Sequence, residues 1–134
     1  VAAAELPKMP KQHAEHAAFA CDRLQRMALE ISSTMSKFQL KLADRQCRMA
    51  ELSQRCQDLI TILATSLYGA RHEDTMVRDA ADVMCRNLRH KLLGRRPSNH
   101  YYRQATGLGA AIADGGFKSI AGLAPDEILM RYKE

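Results

Sequence analysis

An all-α fold, an antiparallel bundle of four main helices plus a short C-terminal helix, is predicted by three features of this 134-residue chain. Aromatic residues are few and Trp is absent, so Leu, Ile, Ala and seven Met are left to fill the core, a mixture that favours helices over strands. From Lys11 to Tyr68 there is neither Gly nor Pro. Within that span Phe38, Leu42, Met49, Leu52, Cys56, Leu59, Leu63 and Leu67 recur three, four or seven apart, the spacing that puts side chains on one face of a helix.

The length suits one domain with a core, 11–134, behind an extended lead-in, 1–10, that holds Pro7 and Pro10 and shows no periodicity. Val at position 1, with no Met before it, points to a piece of a longer protein. An unbroken helix from Lys11 to Tyr68 would reach roughly 87 Å, too long for a compact domain of this size. The chain must therefore turn, and Ser32-Ser33-Thr34-Met35-Ser36 is the expected place, because Ser and Thr compete with helical hydrogen bonding. Ser36 with Gln39 makes a capping box, and Met35 with Leu40 a hydrophobic staple. Helix one is thus expected over Lys11 to Ser33, with Ala20, Leu24, Met27 and Ile31 inward, and helix two over Lys37 to Arg71.

His72-Glu73-Asp74-Thr75 reads as a turn and helix start, with acids suited to the positive end of the next helix dipole. Helix three is expected to carry Val77, Ala81, Met84, Leu88 and Leu92 inward and Arg78, Asp82, Arg86 and Arg89 outward, and to stop at Gly94. Ser98 caps a fourth helix running to about Asp114, in which Gly107 and Gly109 allow close approach of a neighbouring backbone. Pro125, followed by Asp126 and Glu127, starts the short C-terminal helix.

Chemistry is sparse. No stretch approaches the roughly 20 apolar residues that span a bilayer, and the N-terminus lacks the pattern of a secretory signal. Cys21, Cys47, Cys56 and Cys85 show no C-x-x-C spacing and read as small buried or half-buried hydrophobes in a reducing compartment. His13, Glu15 and His16 have helical spacing for a metal pair but no third ligand, and near a terminus the simpler expectation is that they are solvated. Gly107-Leu108-Gly109 has neither the preceding strand nor the following Lys-Ser of a phosphate loop.

The stretch from Arg86 to Arg103 has the most electrostatic content. Arg86, Arg89, Lys91, Arg95, Arg96 and Arg103 occur there with His90 and His100 and no Asp or Glu. Such a run can dock on an anionic surface, with Arg86, Arg89, Arg95 and Arg96 as its face, or can be a solvated helix end. Two further readings fit the residues alone. One is a free-standing adaptor or regulatory bundle that takes a partner helix on a Met-rich surface; the other is a basic nucleic-acid-binding bundle. Without a recognised nucleic-acid fold, no nucleic-acid partner is expected.

Phe38, then Leu42-Ala43-Asp44-Arg45-Gln46, then Met49-Ala50-Glu51-Leu52, then Asp58-Leu59 resembles the long helix in the extra C-terminal domain of the very-long-chain type of acyl-CoA dehydrogenase. The register holds without a gap for about twenty residues, and Ala113-Asp114-Gly115-Gly116-Phe117 and Pro125-Asp126-Glu127-Ile128-Leu129 fit the same domain. Relatives often have a Tyr, then Gly or Ala and Met, after the Asp-Leu pair, where this chain has Ile60-Thr61-Ile62. The resemblance implies a parent enzyme of fatty-acid β-oxidation that converts an acyl-CoA to its trans-2-enoyl-CoA with FAD and a catalytic carboxylate. All of that chemistry would reside in an upstream core, so no catalytic, FAD-binding or metal residue carries over to this chain. It further implies a homodimer, contact with the core and an anionic membrane surface, and a cytoplasmic or mitochondrial matrix-side location.

Overall fold

The computed structural model describes residues 5–118, and these are helical with no strand among them. The helix expected after Pro125 lies outside the described residues. Helix α1 spans Lys11–Phe38, a 3-10 segment spans Gln39–Arg45, and α2 spans Gln46–Arg71. Helix α3 spans Thr75–Leu93 and α4 spans Asn99–Ala113. Helices α1, α2 and α3 pack together, and α4 lies against α3. No helix among the described residues is long and apolar enough to cross a membrane.

The turn between the first two helices falls later than Ser32 to Ser36. Those residues are helical, and Ser33 Oγ donates to the Glu30 carbonyl at 3.0 Å. Back-bonding of this kind satisfies the hydroxyl within the helix, so the serines do not end it. Ser36 caps nothing, and Leu40 is 97% exposed, so the staple with Met35 is absent as well. The helix ends instead at Gln39, whose φ of 39° and ψ of −117° reverse the chain while its N–H still reaches the Met35 carbonyl. Consequently α1 runs on to Phe38 instead of stopping at Ser33, and α2 begins only at Gln46.

The later boundaries follow their local signals. Asp74 accepts from the Met76 N–H at 2.9 Å and caps α3. Gly94, at φ 60°, closes α3 in the left-handed conformation that a side chain disfavours. Ser98 accepts from the Tyr101 N–H and caps α4, whose end at Ala113 matches the expected limit.

The core is built from small side chains. Ala20, Ile62 and Cys85, one from each of α1, α2 and α3, form its fully buried centre, with Phe19, Leu63, Leu88 and Leu92 packed around them. Ala17, Ser66 and Gly69 are also buried, so the helices approach closely at this level. A Cβ on Gly69 would lie 2.5 Å from the Ala81 Cβ and 3.1 Å from His13 Cε1. The close approach expected at Gly107 and Gly109 is found here instead; nothing lies within 4 Å of a Cβ at either of those. Gly69→Ala is expected to lower stability by about 1–3 kcal/mol through overpacking. Gly107→Ala is expected to raise it by up to about 1 kcal/mol, because only helix propensity changes. Paired urea titrations of the two variants measure both signs.

Candidate functional site

The polar residues of α1 and α3 meet in the interior. His16 extends the α1 stripe of Ala20, Met27 and their neighbours backward by one turn, and Asp82 follows Ala81 on α3; each is 2% exposed. His16 Nε2 donates to Asp82 Oδ1 at 2.6 Å. The other carboxylate oxygen accepts from Arg86 Nε at 2.9 Å and from Gln104 Nε2 of α4 at 2.6 Å. One carboxylate thus joins three helices.

Arg89 fixes the state of the histidine. Its Nη1 lies 3.1 Å from His16 Nδ1, and a guanidinium can only donate, so Nδ1 is the acceptor and the proton sits on Nε2, facing Asp82. The Arg89 guanidinium also lies over the Phe19 ring, 4.6 Å from its centroid. Burial opposes ionisation of Asp82, but the hydrogen bonds from His16, Gln104 and Arg86 outweigh it and hold the carboxyl well below the usual carboxylate range.

His13, a turn before His16, is fully buried, and neither ring nitrogen has a hydrogen-bond partner. Burial lowers its pKa, with the charge of Arg78 acting in the same sense and those of Asp82 and Asp79 against it. His13 and His16 are therefore core residues; the expectation that they are solvated fails. Among the described residues no group of three His, Cys, Asp or Glu side chains could hold a metal ion.

Cys85 has the geometry of a packing residue. Its Sγ donates to the Ile62 carbonyl at 3.6 Å, and burial, reinforced by Asp82 and opposed by Arg89, pushes its thiol up to about 12. A thiol held protonated in this way is a poor nucleophile. A cleft of about 280 Å³ opens between α1, α2 and α3 over Phe19, Met27, Leu59 and Leu92. At its edge Arg55 donates to both oxygens of Glu30 and to both of Glu51, which ties α2 to α1. These contacts account for a structural clamp.

The expected basic face divides in two. Arg86 and Arg89 are half-buried, with the Arg86 side chain still 35% exposed: α3 is rotated so that Asp82 and Cys85 are buried, while Met84, expected inward, is 49% exposed. Both arginines consequently serve the interior contacts with Asp82 and His16. Lys91 is likewise engaged, its Nζ 2.8 Å from an oxygen of Asp58 on α2. Arg95 and Arg96 remain exposed, in the connection between α3 and α4. Helical periodicity read for apolar residues missed the Asp82 centre, although His13, His16 and Asp82 all occupy positions that continue buried stripes.

No family model matches this chain, and no curated protein and no solved structure matches it.

The two titrating centres predict an acid-sensitive fold. His13 is held neutral in the folded chain, so its contribution is present above its ordinary value of 6.5 and is lost as pH falls below that value. Asp82 is held ionised, so its contribution is lost only as pH falls below about 4 and through its depressed folded value. Urea titrations from neutral to acid pH should therefore show two limbs, with His13→Leu removing the upper one alone. Asp82→Ala, which strands His16 and Arg86, should cost about 3–5 kcal/mol at neutral pH.

Proposed function

We propose that this chain is the C-terminal helical domain of an acyl-CoA dehydrogenase of the very-long-chain type, non-catalytic itself, that supports dimer assembly or membrane docking of the FAD-containing core. The observation that carries this reading is the run Phe38, Leu42 to Gln46, Met49 to Leu52 and Asp58-Leu59. Of its members Leu52, Asp58 and Leu59 are buried, Phe38, Leu42 and Met49 are half-buried, and Ala43 to Gln46, Ala50 and Glu51 are exposed. Leu52 and Leu59 are each 2% exposed on α2, and Asp58 accepts from Gln54 and pairs with Lys91, joining α2 to α3. A signature that joins buried packing residues to an exposed polar face suits a domain whose role is to be assembled onto another.

The interior agrees with such a role in its chemistry. The buried carboxylate and imidazole are consumed by one another and by arginine, which leaves them as ties between helices. FAD, the catalytic carboxylate and the acyl-CoA site belong to the upstream core in this reading. The finer architecture also belongs to it: four main helices in an antiparallel bundle, with α4 as the fourth. The assembled enzyme would be a homodimer acting in fatty-acid β-oxidation, in a bacterial cytoplasm or on the matrix side of a mitochondrial membrane.

Two measurements test the proposal. The coding sequence upstream of Val1 should specify an acyl-CoA dehydrogenase core, and that core, expressed separately, should co-elute with this chain. Alone, the chain should be colourless and should not oxidise acyl-CoA with an artificial electron acceptor. A yellow chain with stoichiometric flavin, or an unrelated upstream sequence, would sink the reading.

A further inference from the structure

The cleft of about 280 Å³ between α1, α2 and α3 is walled by Leu92 and Leu93, the last two residues of α3. Met27 and Leu59 are its buried members, and Phe19, Leu92 and Leu93 are half-buried. Four charged side chains line it as well: Arg23, Arg26, Glu30 and Arg55. Three of these are matched within the chain. Arg26 Nη2 lies 3.1 Å from Asp22 Oδ1, and Arg55 donates to both oxygens of Glu30. Arg23 differs from them. It is exposed, its guanidinium carbon lies 5.5 Å from the Phe19 centroid, and among the described residues no carboxylate pairs with it.

We propose that this cleft binds an aliphatic monocarboxylate, its unbranched alkyl chain against Met27, Leu59, Leu92 and Leu93 and its carboxylate on the Arg23 guanidinium. A concave apolar site with few polar groups is the usual form of a small-molecule site, and its volume is at the lower end of the roughly 300–1,000 Å³ such sites span, so the ligand is small. The walls select its chain. Phe19, the cleft's one ring, already carries the guanidinium carbons of Arg23 and Arg89, at 5.5 and 4.6 Å from its centroid, and the other apolar walls are Leu and Met, which match an alkyl chain. Arg23 selects the head. One unmatched guanidinium offers parallel N–H groups to a carboxylate and compensates a single negative charge. The second charge of an alkyl phosphate would find Arg26 and Arg55 engaged and Glu30 repelling it. A side chain of a protein partner fits less well, because the acidic side chains are short and the long apolar ones carry no charge.

The site goes beyond the domain assignment proposed above and does not rest on it. The cleft would be the same in a free-standing bundle, and neither the upstream sequence nor flavin content bears on it.

The test titrates the 134-residue chain, with its Met and Leu methyl groups isotope-labelled for NMR, against butanoate, octanoate and decanoate below their micelle thresholds. Saturable shifts are expected at Met27, Leu59, Leu92 and Leu93 and not at the exposed Leu29 and Leu40. Affinity should rise about fourfold with each added methylene until the cleft is full. Arg23→Gln, at an exposed position, should weaken decanoate binding about tenfold and leave that of decanol within about twofold. Leu93→Trp, which fills the cleft from its half-buried wall, should abolish binding; the methyl map and Arg23→Gln decide the matter where that variant does not fold. Absence of saturable binding at every chain length overturns the proposal. So do shifts spread equally over Leu29 and Leu40, equal affinity of the wild type and Arg23→Gln for decanoate, or decanol or decyl phosphate binding more tightly than decanoate. A peptide of residues 119–134 that shifts the same methyls, where decanoate does not, would assign the cleft to that segment and also overturn it.

Discussion

A buried carboxylate that must stay ionised constrains more of this fold than any apolar contact. Asp82 is nearly inaccessible, and a lone charge in that position would be strongly unfavourable. It is tolerated because α1 supplies His16, α3 itself supplies Arg86, and α4 supplies Gln104, so that both oxygens are occupied. Each donor requires its helix at one rotation and one height. Apolar side chains tolerate a slip of a few tenths of an ångström; a 2.6 Å hydrogen bond in a low dielectric does not. The same bonds therefore set the register of α1 and α4 on α3.

The reason for so polar an interior lies in the small side chains around it. Ala17, Ala20, Ser66, Gly69, Ala81 and Cys85 bring three helices close together, but they remove little apolar area per residue from water. The larger apolar residues Phe19, Leu63, Leu88 and Leu92 pack around that centre, and Leu59 and Ile62 are its main bulky members. Specific polar ties then align what apolar volume alone would leave loosely defined. Arg55 between Glu30 and Glu51, and Lys91 with Asp58, repeat the device further along the helices. Closer to solvent, such pairs contribute less than the Asp82 centre.

Helical class and the helix-end signals after Arg71 were legible because they depend on short-range chemistry. Asp74, Gly94 and Ser98 cap through hydrogen bonds or backbone angles set within a few residues. The break between α1 and α2 was not legible, since Ser33 satisfies itself on Glu30 and Gln39 adopts a positive φ that its residue type does not announce. The rotation of α3 was hidden for a different reason. A reading that assigns charged residues to water places Asp82 and Arg89 outside, yet their partners His16 and Gln104 are distant in sequence and leave no local trace. His13 and His16 could have been found by extending the α1 stripe backward and treating imidazole as a core side chain.

The charge run from Arg86 to Arg103 illustrates how composition and placement part company. Read along the chain, it is a block of uncompensated cations; in the fold, Arg86 and Lys91 are compensated by Asp82 and Asp58, and Arg89 by contacts to His16 and Phe19. Their acids come from other helices or from one turn back. Around Phe38 the reverse holds. Lys37, Lys41, Arg45 and Arg48 are interleaved with apolar residues and one Asp, so no block stands out in the sequence, but the reversal at Gln39 gathers them at one end of the hairpin. A cation's availability to a partner thus depends on whether the fold brings an acid to it, which is a property of tertiary contacts and not of local charge density.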